Sequence, residues 1–410
     1  MNFTYPKTVN EAISGSLKMF GESHVTATIW KLSVVVLAAS LAFVFYMLFT
    51  QGHRAFNTTS NGVDWGIPIS TYVFFALTSS GLTIIASLST VFGFKQFYPV
   101  VKRCIWLATI TLVAAFTVLA LELGHPFRMF WAMPLGMQIY SPMFWMGVFY
   151  VIDLGLLLVK FYLMWKEDWD SPFSHFIGIA GFIAVVLASG MLGLLFGSLA
   201  NRPMWFGSAS SVFYIISGVL SGAAAIVFSV YLAYGFDTKN MPEPLRLLTQ
   251  GDQLPKVFAT LIGIVLLALL TRIYVGLWSN IYGMAEGFAV LLKTPWFHLE
   301  VWVCLALPFL MMLSPSMQVK PKWQVTASFL VLIGLFIERL QFIVAGQNVP
   351  MFKDNWMNAV TPYTPSLTEW ALVAVGISTA LALYALGERL FNLSDAPKVS
   401  LEAAGQFARG

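Results

Sequence analysis

The chain has 410 residues, of which 58% are hydrophobic and only 10% are charged. Because soluble domains carry about 25% charged residues, this composition excludes a soluble globular protein and indicates an integral membrane protein. The formal net charge of +4 follows from basic connections on one side of the membrane and is no argument for a nucleic-acid partner.

Ten apolar stretches are each long enough to cross a bilayer, which takes about 20 helical residues. We predict helices because a β-barrel would show short segments of alternating polarity. The fold class is therefore all-α, a polytopic membrane protein between an N-terminal segment, 1–29, and a C-terminal tail, 388–410. The predicted spans are 30–50, 70–93, 104–123, 142–164, 174–197, 210–234, 257–280, 296–313, 324–344 and 367–387.

Basic residues predict the orientation of these spans. Of the 23 lysines and arginines, 16 lie in the N-terminal segment or on the same side of the membrane, and five lie on the opposite side. Both termini should therefore be cytoplasmic. The first apolar run is about 20 residues long and lacks a small-residue cleavage site after it, so we expect it to be retained as a span.

The outer connections are rich in tryptophan, proline and asparagine. Residues 349–356 have the composition of an ordered loop and could form a docking surface. Alternatively, the tryptophans are an interfacial aromatic belt. The residues concerned are Trp65, Trp131, Trp205, Trp296 and Trp356.

Ionisable side chains inside the spans are the most informative feature, because charge at membrane depth normally faces a partner, water or a functional site. Asp153 is alone near the middle of its span and is the best candidate for a group that titrates. The others lie mainly in the outer half of the spans. They are Glu122, His125, Arg272, His298, Glu300, Glu338, Arg339 and Glu369.

Two interpretations of these charges remain open. Asp153, Arg272, Glu300, Glu338 and Arg339 could form a proton pathway, or the same charges could be ion pairs that fix helix register. Neighbours in a helix point about 100° apart, so Glu338 and Arg339 should each need a partner from another span. Glu300 is the expected shared partner of the two arginines.

The positions of the histidines and the spacing of the cysteines argue against several cofactors. A membrane cytochrome needs histidine pairs at matching depth on facing helices, yet the five histidines lie outside the spans or near their ends. Cys104 and Cys304 have no Cys-x-x-Cys spacing and should pack as small apolar groups. We therefore expect no haem, iron–sulfur cluster or zinc bound by this chain.

Four local motifs, in order, resemble the NrfD/PsrC (polysulfide reductase membrane subunit) family. Residues 65–72 read Trp-Gly-Ile-Pro-Ile-Ser-Thr-Tyr, and 121–128 read Leu-Glu-Leu-Gly-His-Pro-Phe-Arg, similar to the family's Asp-Leu-Gly-Arg-Pro. Residues 141–147 match the family's Ser-Pro-x-x-Trp-x-Gly pattern. Residues 189–193 and 201–205 resemble the family's sequence at the end of the fifth span. Glu300 and residues 339–347 resemble the ten-helix branch of the family, which includes HybB, QrcD and alternative complex III subunits. The resemblance therefore covers about residues 60–350.

The resemblance implies two four-helix bundles, 70–197 and 210–344, with flanking helices, in a prokaryotic inner membrane. It also implies a haem-free subunit that exchanges electrons between menaquinone or ubiquinone and an iron–sulfur subunit on the periplasmic face. A molybdopterin-type or cytochrome c subunit would complete the complex, and proton translocation could be coupled to its reaction. The implied quinone contacts near the outer side of the first bundle are Trp65, Ser70, Tyr72, His125 and Met191.

One departure from the family affects this site. Ser70 and Met191 stand nearest to positions where some members place the histidine and tyrosine that bind the quinone. The contacts must then differ, with Glu122, His125, Asp153 and Tyr72 as substitutes, or the site is lost. Proton transfer in catalysis is expected from Asp153, Glu122 and His125. The rival functions are a structural anchor without a quinone and a secondary transporter, which would usually contain helices broken near the midplane.

Overall fold

The computed structural model describes residues 24–58, 62–250, 253–348 and 363–397, together with a few isolated positions between 11 and 22. Ten helices in these ranges are long and apolar enough to cross a membrane. They are α1 (Val25–Gln51), α2 (Ile67–Thr90), α3 (Tyr98–Glu122), α4 (Pro142–Trp165), α5 (Pro172–Gly197), α6 (Ala209–Ala233), α7 (Gln253–Leu277), α8 (Pro295–Leu313), α9 (Pro321–Asn348) and α10 (Leu367–Leu390).

The predicted fold class and the ten spans are confirmed. The largest difference in a boundary is at the start of α3, which begins at Tyr98 and not at residue 104. Lys102 and Arg103 interrupt the apolar run, but both are buried in the structure. Arg103 donates to both carboxylate oxygens of Glu388 in α10 at 2.7 and 2.9 Å, and Nζ of Lys102 lies 3.4 Å from the Asp395 carboxylate. Both charged residues belong to the helix because each has an acidic partner that neutralises it.

The helices pack as two groups of four. In the first group α2 contacts α3 and α5, and α4 contacts both α3 and α5. In the second, α6 contacts α7 and α9, and α8 contacts both α7 and α9. The two groups meet where α2 and α5 lie against α6, and α2 also touches α9. Helix α10 packs on α1, α2 and α3, and α1 leaves most of its surface exposed.

A seam of glycines brings the two groups together. A Cβ atom added to Gly81 of α2 would lie 1.8 Å from the carbonyl oxygen of Gly218, and one added to Gly222 would lie 2.4 Å from the carbonyl carbon of Gly81. Small residues four apart let the backbones of membrane helices approach this closely. The seam therefore fixes α2 against α6 and sets the relative position of the two bundles.

Helix α8 is irregular along part of its length. Residues Leu299–Ala306 form a π-helical segment that contains Glu300, and Pro308 follows it at the start of a regular segment, Leu307–Leu313. Proline lacks the N–H for the usual helical hydrogen bond, and short π-helical insertions are frequent at functional sites. The irregularity changes the direction in which Glu300 projects relative to an ordinary helix.

The tryptophans of the expected belt have different surroundings. Trp131 and Trp296 are 56% and 61% exposed, as a belt requires, but Trp205 is only 2% exposed. The belt interpretation is therefore wrong for Trp205. Trp356 and the expected docking loop at 349–356 lie outside the described residues.

We call the face that carries the connections 52–66, 123–141 and 198–208 the outer face, after the orientation that the basic residues predict.

Candidate functional site

Asp153 lies in the middle of α4 and its side chain is completely buried. Neither of its carboxylate oxygens has a hydrogen-bond partner in the part of the chain that the structure describes. Beside it is a cavity of about 20 Å³ that Lys160 also lines, together with Thr83, Ser87 and Thr90 of α2. A cavity of this volume has room for about one water molecule. A carboxyl at this depth is costly as a bare anion, so it is stable here when it carries its proton.

Four further polar side chains lie along the contact of α4 with α2 and α5. The hydroxyl of Tyr150 is 3.3 Å from Oγ of Ser80, and Tyr150 is within electrostatic reach of both Tyr72 and Asp153. Towards the basic face, Nζ of Lys160 donates to the Ser174 side chain at 2.6 Å and to its carbonyl oxygen at 2.9 Å. We call Tyr72, Ser80, Tyr150, Asp153 and Lys160 the polar line.

A second polar group, the charge cluster, lies in the other bundle and consists of Arg272, Glu300, Glu338, Arg339 and Gln341. Arg339 forms an ion pair with the adjacent Glu338, and Arg272 lies 3.7 Å from the same carboxylate. Glu338 and Arg339 therefore each have a partner from another span, as expected, namely Arg272 and Ser217, but they also pair with each other, which was not expected. Long side chains can meet even when their Cα–Cβ bonds point about 100° apart.

Glu300 is not the shared partner of the two arginines, which is a second correction. Its Oε2 accepts a hydrogen bond of 2.5 Å from the amide of Gln341, whereas the arginines converge on Glu338. Glu300 nevertheless lies within electrostatic reach of Glu338, Arg272 and Arg339. Its Oε1 is buried and has no hydrogen-bond partner among the described residues. The structure thus brings these charges together, with Glu338 at the centre.

The polar line and the charge cluster approach each other across the two bundles. Arg339 donates to Oγ of Ser217 in α6 at 2.7 Å, and its guanidinium lies 5.0 Å from the centre of the Tyr214 ring. Tyr150 of the polar line is within electrostatic reach of Arg339. A second hydroxyl contact joins α2 to α6, because Oγ1 of Thr78 is 2.5 Å from Oγ of Ser221.

An aromatic layer covers the outer side of this junction. Trp65 stacks on Trp205 with ring centres 5.8 Å apart, and Phe196 packs edge-on against both. The Trp205 indole donates to the carbonyl oxygen of Phe342 at 2.7 Å, and Arg272 lies 4.1 Å from the centre of the Phe342 ring. Trp65, one of the expected quinone contacts, therefore lies between the bundles.

Hydrogen bonds of the Gln347 side chain join the connection before α2 to the end of α9. Its Oε1 accepts hydrogen bonds from the backbone N–H groups of Asp64 and Trp65 at 2.8 and 3.0 Å. Arg202 donates to the Gln347 carbonyl oxygen at 3.1 Å and lies 3.8 Å from the Asp64 carboxylate. Burial raises the pKa of Asp64, an effect that Arg202 opposes, and burial lowers the pKa of Arg202.

Glu369, near the start of α10, forms hydrogen bonds with residues before α10 and with the connection that follows α1. Its carboxylate accepts hydrogen bonds from the Tyr363 hydroxyl at 2.6 Å and from the backbone N–H groups of Ser366 and Asn57 at 2.7 and 3.1 Å. Burial, followed by the hydrogen bond to Glu369, raises the pKa of Tyr363. Glu122 lies within electrostatic reach of Glu369. Two of the predicted outer carboxylates therefore share one region at the ends of α3 and α10.

The residues expected to bind a quinone contact different partners in the described part of the chain. The Ser70 hydroxyl donates to the Gly66 carbonyl oxygen of its own helix at 3.1 Å, and the Tyr72 hydroxyl contacts the Met146 sulfur at 3.7 Å. His125 is exposed and Met191 is half-buried in α5. Trp65 lies between the bundles, so the contacts observed do not by themselves bring the predicted set around one quinone ring. Asp153 is likewise separated from the outer end, in a cavity on the basic half of the bundle.

Several residues of these networks were missed from the sequence. Tyr150, Tyr214, Ser217 and Gln341 are common residue types in membrane helices, and their positions contain no charge that would single them out. Met146, Tyr150, Asp153, Leu157 and Lys160 are all buried on one face of α4. The spacing of three and four residues from Asp153 was the available signal.

Both cysteines are buried and not in a disulfide. Within the described ranges, no three side chains of histidine, cysteine, aspartate or glutamate are grouped so as to hold a metal ion.

Comparison with known proteins places this architecture in a family. The model of the family described as "Polysulphide reductase, NrfD" matches residues 55–351. A selenate reductase subunit of Mesobacillus selenatarsenatis is 24% identical over 395 residues, covering 84% of this chain and 89% of the relative. The Hdr-like menaquinol oxidoreductase integral membrane subunit of Archaeoglobus fulgidus is 24% identical over 390 residues, covering 88% and 92%.

A third relative is also named as a reductase subunit. A putative dimethyl sulfoxide reductase membrane subunit of Halobacterium salinarum is 21% identical over 378 residues, with 82% of this chain and 85% of the relative covered. All three relatives are named as subunits of oxidoreductases, and two of the names specify a membrane subunit. The family model covers most of the chain, and ten membrane-spanning helices accompany it. The chain is a multi-pass membrane protein that belongs to the NrfD polysulphide reductase family.

Proposed function

We propose that this chain is the haem-free membrane subunit of a respiratory redox complex. In that complex, electrons pass between a membrane quinone and an iron–sulfur subunit on the outer face, and the assembly also has a further catalytic subunit. The family and the names of the relatives, among them a menaquinol oxidoreductase subunit, support this proposal. We place the protein in a prokaryotic inner membrane with both termini in the cytoplasm, as the distribution of basic residues favours.

The contribution of this chain is to hold and move protons. A quinone exchanges two electrons together with two protons, so a subunit that serves it needs side chains that take up or release protons within the membrane. The observation that carries the proposal is the Asp153 carboxyl, which is completely buried without a hydrogen-bond partner among the described residues. A side chain that only stabilised the helix contact would be expected to have a partner.

The polar line gives Asp153 neighbours in both directions. Towards the outer face, Tyr150 and Ser80 provide hydroxyl groups that can both donate and accept a proton. Towards the basic face, Lys160 lines the same small cavity as Asp153 and is bonded to Ser174. We propose that protons travel along this line, and that Arg339 acts on the line through its proximity to Tyr150.

The charge cluster has a related role. Arg272 and Arg339 together carry two positive charges, against one carboxylate at Glu338 and a second at Glu300. Because the two positive charges can balance both carboxylates, a proton that enters or leaves Glu300 changes the net charge of the whole cluster. We propose that Glu300, on the π-helical segment and with one oxygen unpartnered among the described residues, is the member of the cluster that exchanges protons.

The experiment is to purify the chain from its native membrane in mild detergent with the subunits that accompany it. We expect an iron–sulfur subunit among them, identified by mass spectrometry and by the electron paramagnetic resonance signal of its clusters. A menaquinol analogue should reduce these clusters, or menaquinone should oxidise them. Absence of any iron–sulfur subunit from a complex that otherwise stays assembled would contradict the proposal.

A structural anchor without a quinone is the second candidate. The observation in its favour is that Ser70, Tyr72 and Trp65 each contact a different partner within the protein and that His125 is exposed. Under this alternative the same purification would yield the iron–sulfur subunit, but neither menaquinol nor menaquinone would change the redox state of its clusters.

A further inference from the structure

An apolar cavity lies between the two bundles, near their basic face. Its volume is about 240 Å³. The walls come from the inner half of α2, from α6, from the start of α7 and from the short helix Glu243–Gln250 that precedes α7. Representative wall residues are Ile84, Leu88, Val219, Ala223, Val257 and Phe258.

Among the described residues, the walls offer no free polar group. Thr249 is the one hydroxyl-bearing residue of this lining, and its Oγ1 already donates to the Leu245 carbonyl oxygen at 2.9 Å. A quinone ring or another polar head group would find no hydrogen-bond partner there, and burying it unpaired would be unfavourable. The occupant must therefore be apolar over the length that it buries.

The shape of the cavity fits a chain. Its wall on α6 extends from Val219 to Val230, and at a rise of about 1.5 Å per residue this stretch is roughly 16 Å long. This length suits a segment of an extended acyl chain. Val257 at the rim is 41% exposed, so the cavity is accessible from the side of the bundle at the start of α7.

Basic residues stand at the end of the cavity that faces the basic side. Lys256 directly precedes the wall residue Val257, and Lys95 is two residues before the wall residue Phe97. Both lysines are exposed. Their side of the membrane is the one that the positive-inside distribution places next to the cytoplasmic leaflet, which carries anionic lipids.

We propose that this cavity is a binding site for one anionic phospholipid of the cytoplasmic leaflet. One acyl chain lies along α6 between the two bundles, and the phosphate lies at Lys95 and Lys256. Because the chain would contact α2, α6 and α7 together, the bound lipid stabilises the contact between the bundles. This proposal is independent of the quinone chemistry of the complex.

The test is native mass spectrometry of the purified complex after extensive delipidation with detergent. The wild-type chain should retain one phosphatidylglycerol or cardiolipin molecule. Ala223→Phe, which fills the cavity, and Val257→Trp, which blocks its rim, should each lower this occupancy by about tenfold. The control is Ile264→Trp on the same helix, which is also 41% exposed but lies outside the cavity, and it should retain the lipid.

The head-group part of the proposal has its own measurement. In the double variant Lys95→Gln/Lys256→Gln, the preference for phosphatidylglycerol over phosphatidylcholine in competition experiments should fall by about fivefold for each lysine. Lys322→Gln, an exposed lysine on the same face, should leave the preference unchanged. Retention of the lipid by folded Val257→Trp, recovery of a quinone in place of the phospholipid, or no lipid above the level of a delipidated control would overturn the proposal.

Discussion

Arg339 of α9 donates a hydrogen bond of 2.7 Å to Oγ of Ser217 in α6, while its guanidinium also forms an ion pair with Glu338. Ser217 in turn donates to the Phe213 carbonyl oxygen at 2.6 Å. The charge of Arg339 is therefore held by two helices of the second bundle. Tyr150 of the first bundle is also within electrostatic reach of Arg339.

Removal of Arg339 should destabilise the protein strongly. In Arg339→Leu, the ion-pair partner that Glu338 retains among the described residues is Arg272, at 3.7 Å, and a buried charge that loses its main partner costs about 3–5 kcal/mol. The free energy of unfolding in detergent measures this loss. The exposed Arg128→Leu serves as control, and a loss below about 1 kcal/mol, typical of surface pairs, would contradict the buried position of Arg339.

Gly222 should not tolerate a methyl group. An added Cβ would lie 2.4 Å from the backbone of Gly81, so Gly222→Ala has to separate α2 from α6 and should reduce the yield of folded protein. Gly155→Ala in α4, where an added Cβ meets no described residue within 4 Å, should be neutral or stabilising by up to about 1 kcal/mol. Equal yields of both variants in size-exclusion chromatography would argue against the glycine seam.

The ion pair between Arg103 and Glu388 should show strong coupling. Either Arg103→Met or Glu388→Gln alone leaves a buried charge unpaired, at a cost of about 3–5 kcal/mol, whereas the double variant leaves neither charge. The double-mutant cycle, measured on the free energy of unfolding, should therefore show that the two losses are far from additive. Strictly additive losses would mean that the two side chains do not interact in the folded protein.

Asp64 should make a small pH-dependent contribution at the outer face. Burial raises the pKa of its carboxyl in the folded protein, so the folded state binds more protons than the unfolded state above the ordinary aspartate pKa. The free energy of unfolding therefore falls as the pH rises from about 4, the ordinary aspartate pKa, towards the raised pKa of Asp64. The pH dependence of the thermal midpoint should be smaller in Asp64→Asn. The carboxyl is 48% exposed, so a large difference between the two proteins, or one of opposite sign, would count against this assignment.

The spans could be predicted because the length of an apolar run depends only on bilayer thickness. The start of α3 was misplaced for a physical reason. Sequence alone does not show that Glu388, 285 residues later in the chain, neutralises Arg103. The same limit applies to Gln347, whose hydrogen bonds to Asp64 and Trp65 depend on the packing of α9 beside α2.

The candidate site was predicted in part. Asp153 could be found because a lone charge at mid-depth needs an explanation, and Arg272, Glu338 and Arg339 for the same reason. Their partners could not be found, since a contact between neighbours such as Glu338 and Arg339 depends on side-chain rotamers. Tyr150 and Ser217 have ordinary residue types for a membrane helix, and only the distance to a charged neighbour shows their importance.

The most direct test of the central claim is the quinone-linked turnover of the intact complex with Asp153→Asn. The substitution removes the titrating group with little change in volume, so the complex should assemble in normal amounts while turnover falls by about 10²-fold or more. Glu286→Gln, an exposed acidic residue, should keep wild-type turnover, and Asp153→Glu should recover part of it. Normal turnover of an assembled Asp153→Asn complex would contradict the claim that Asp153 carries protons.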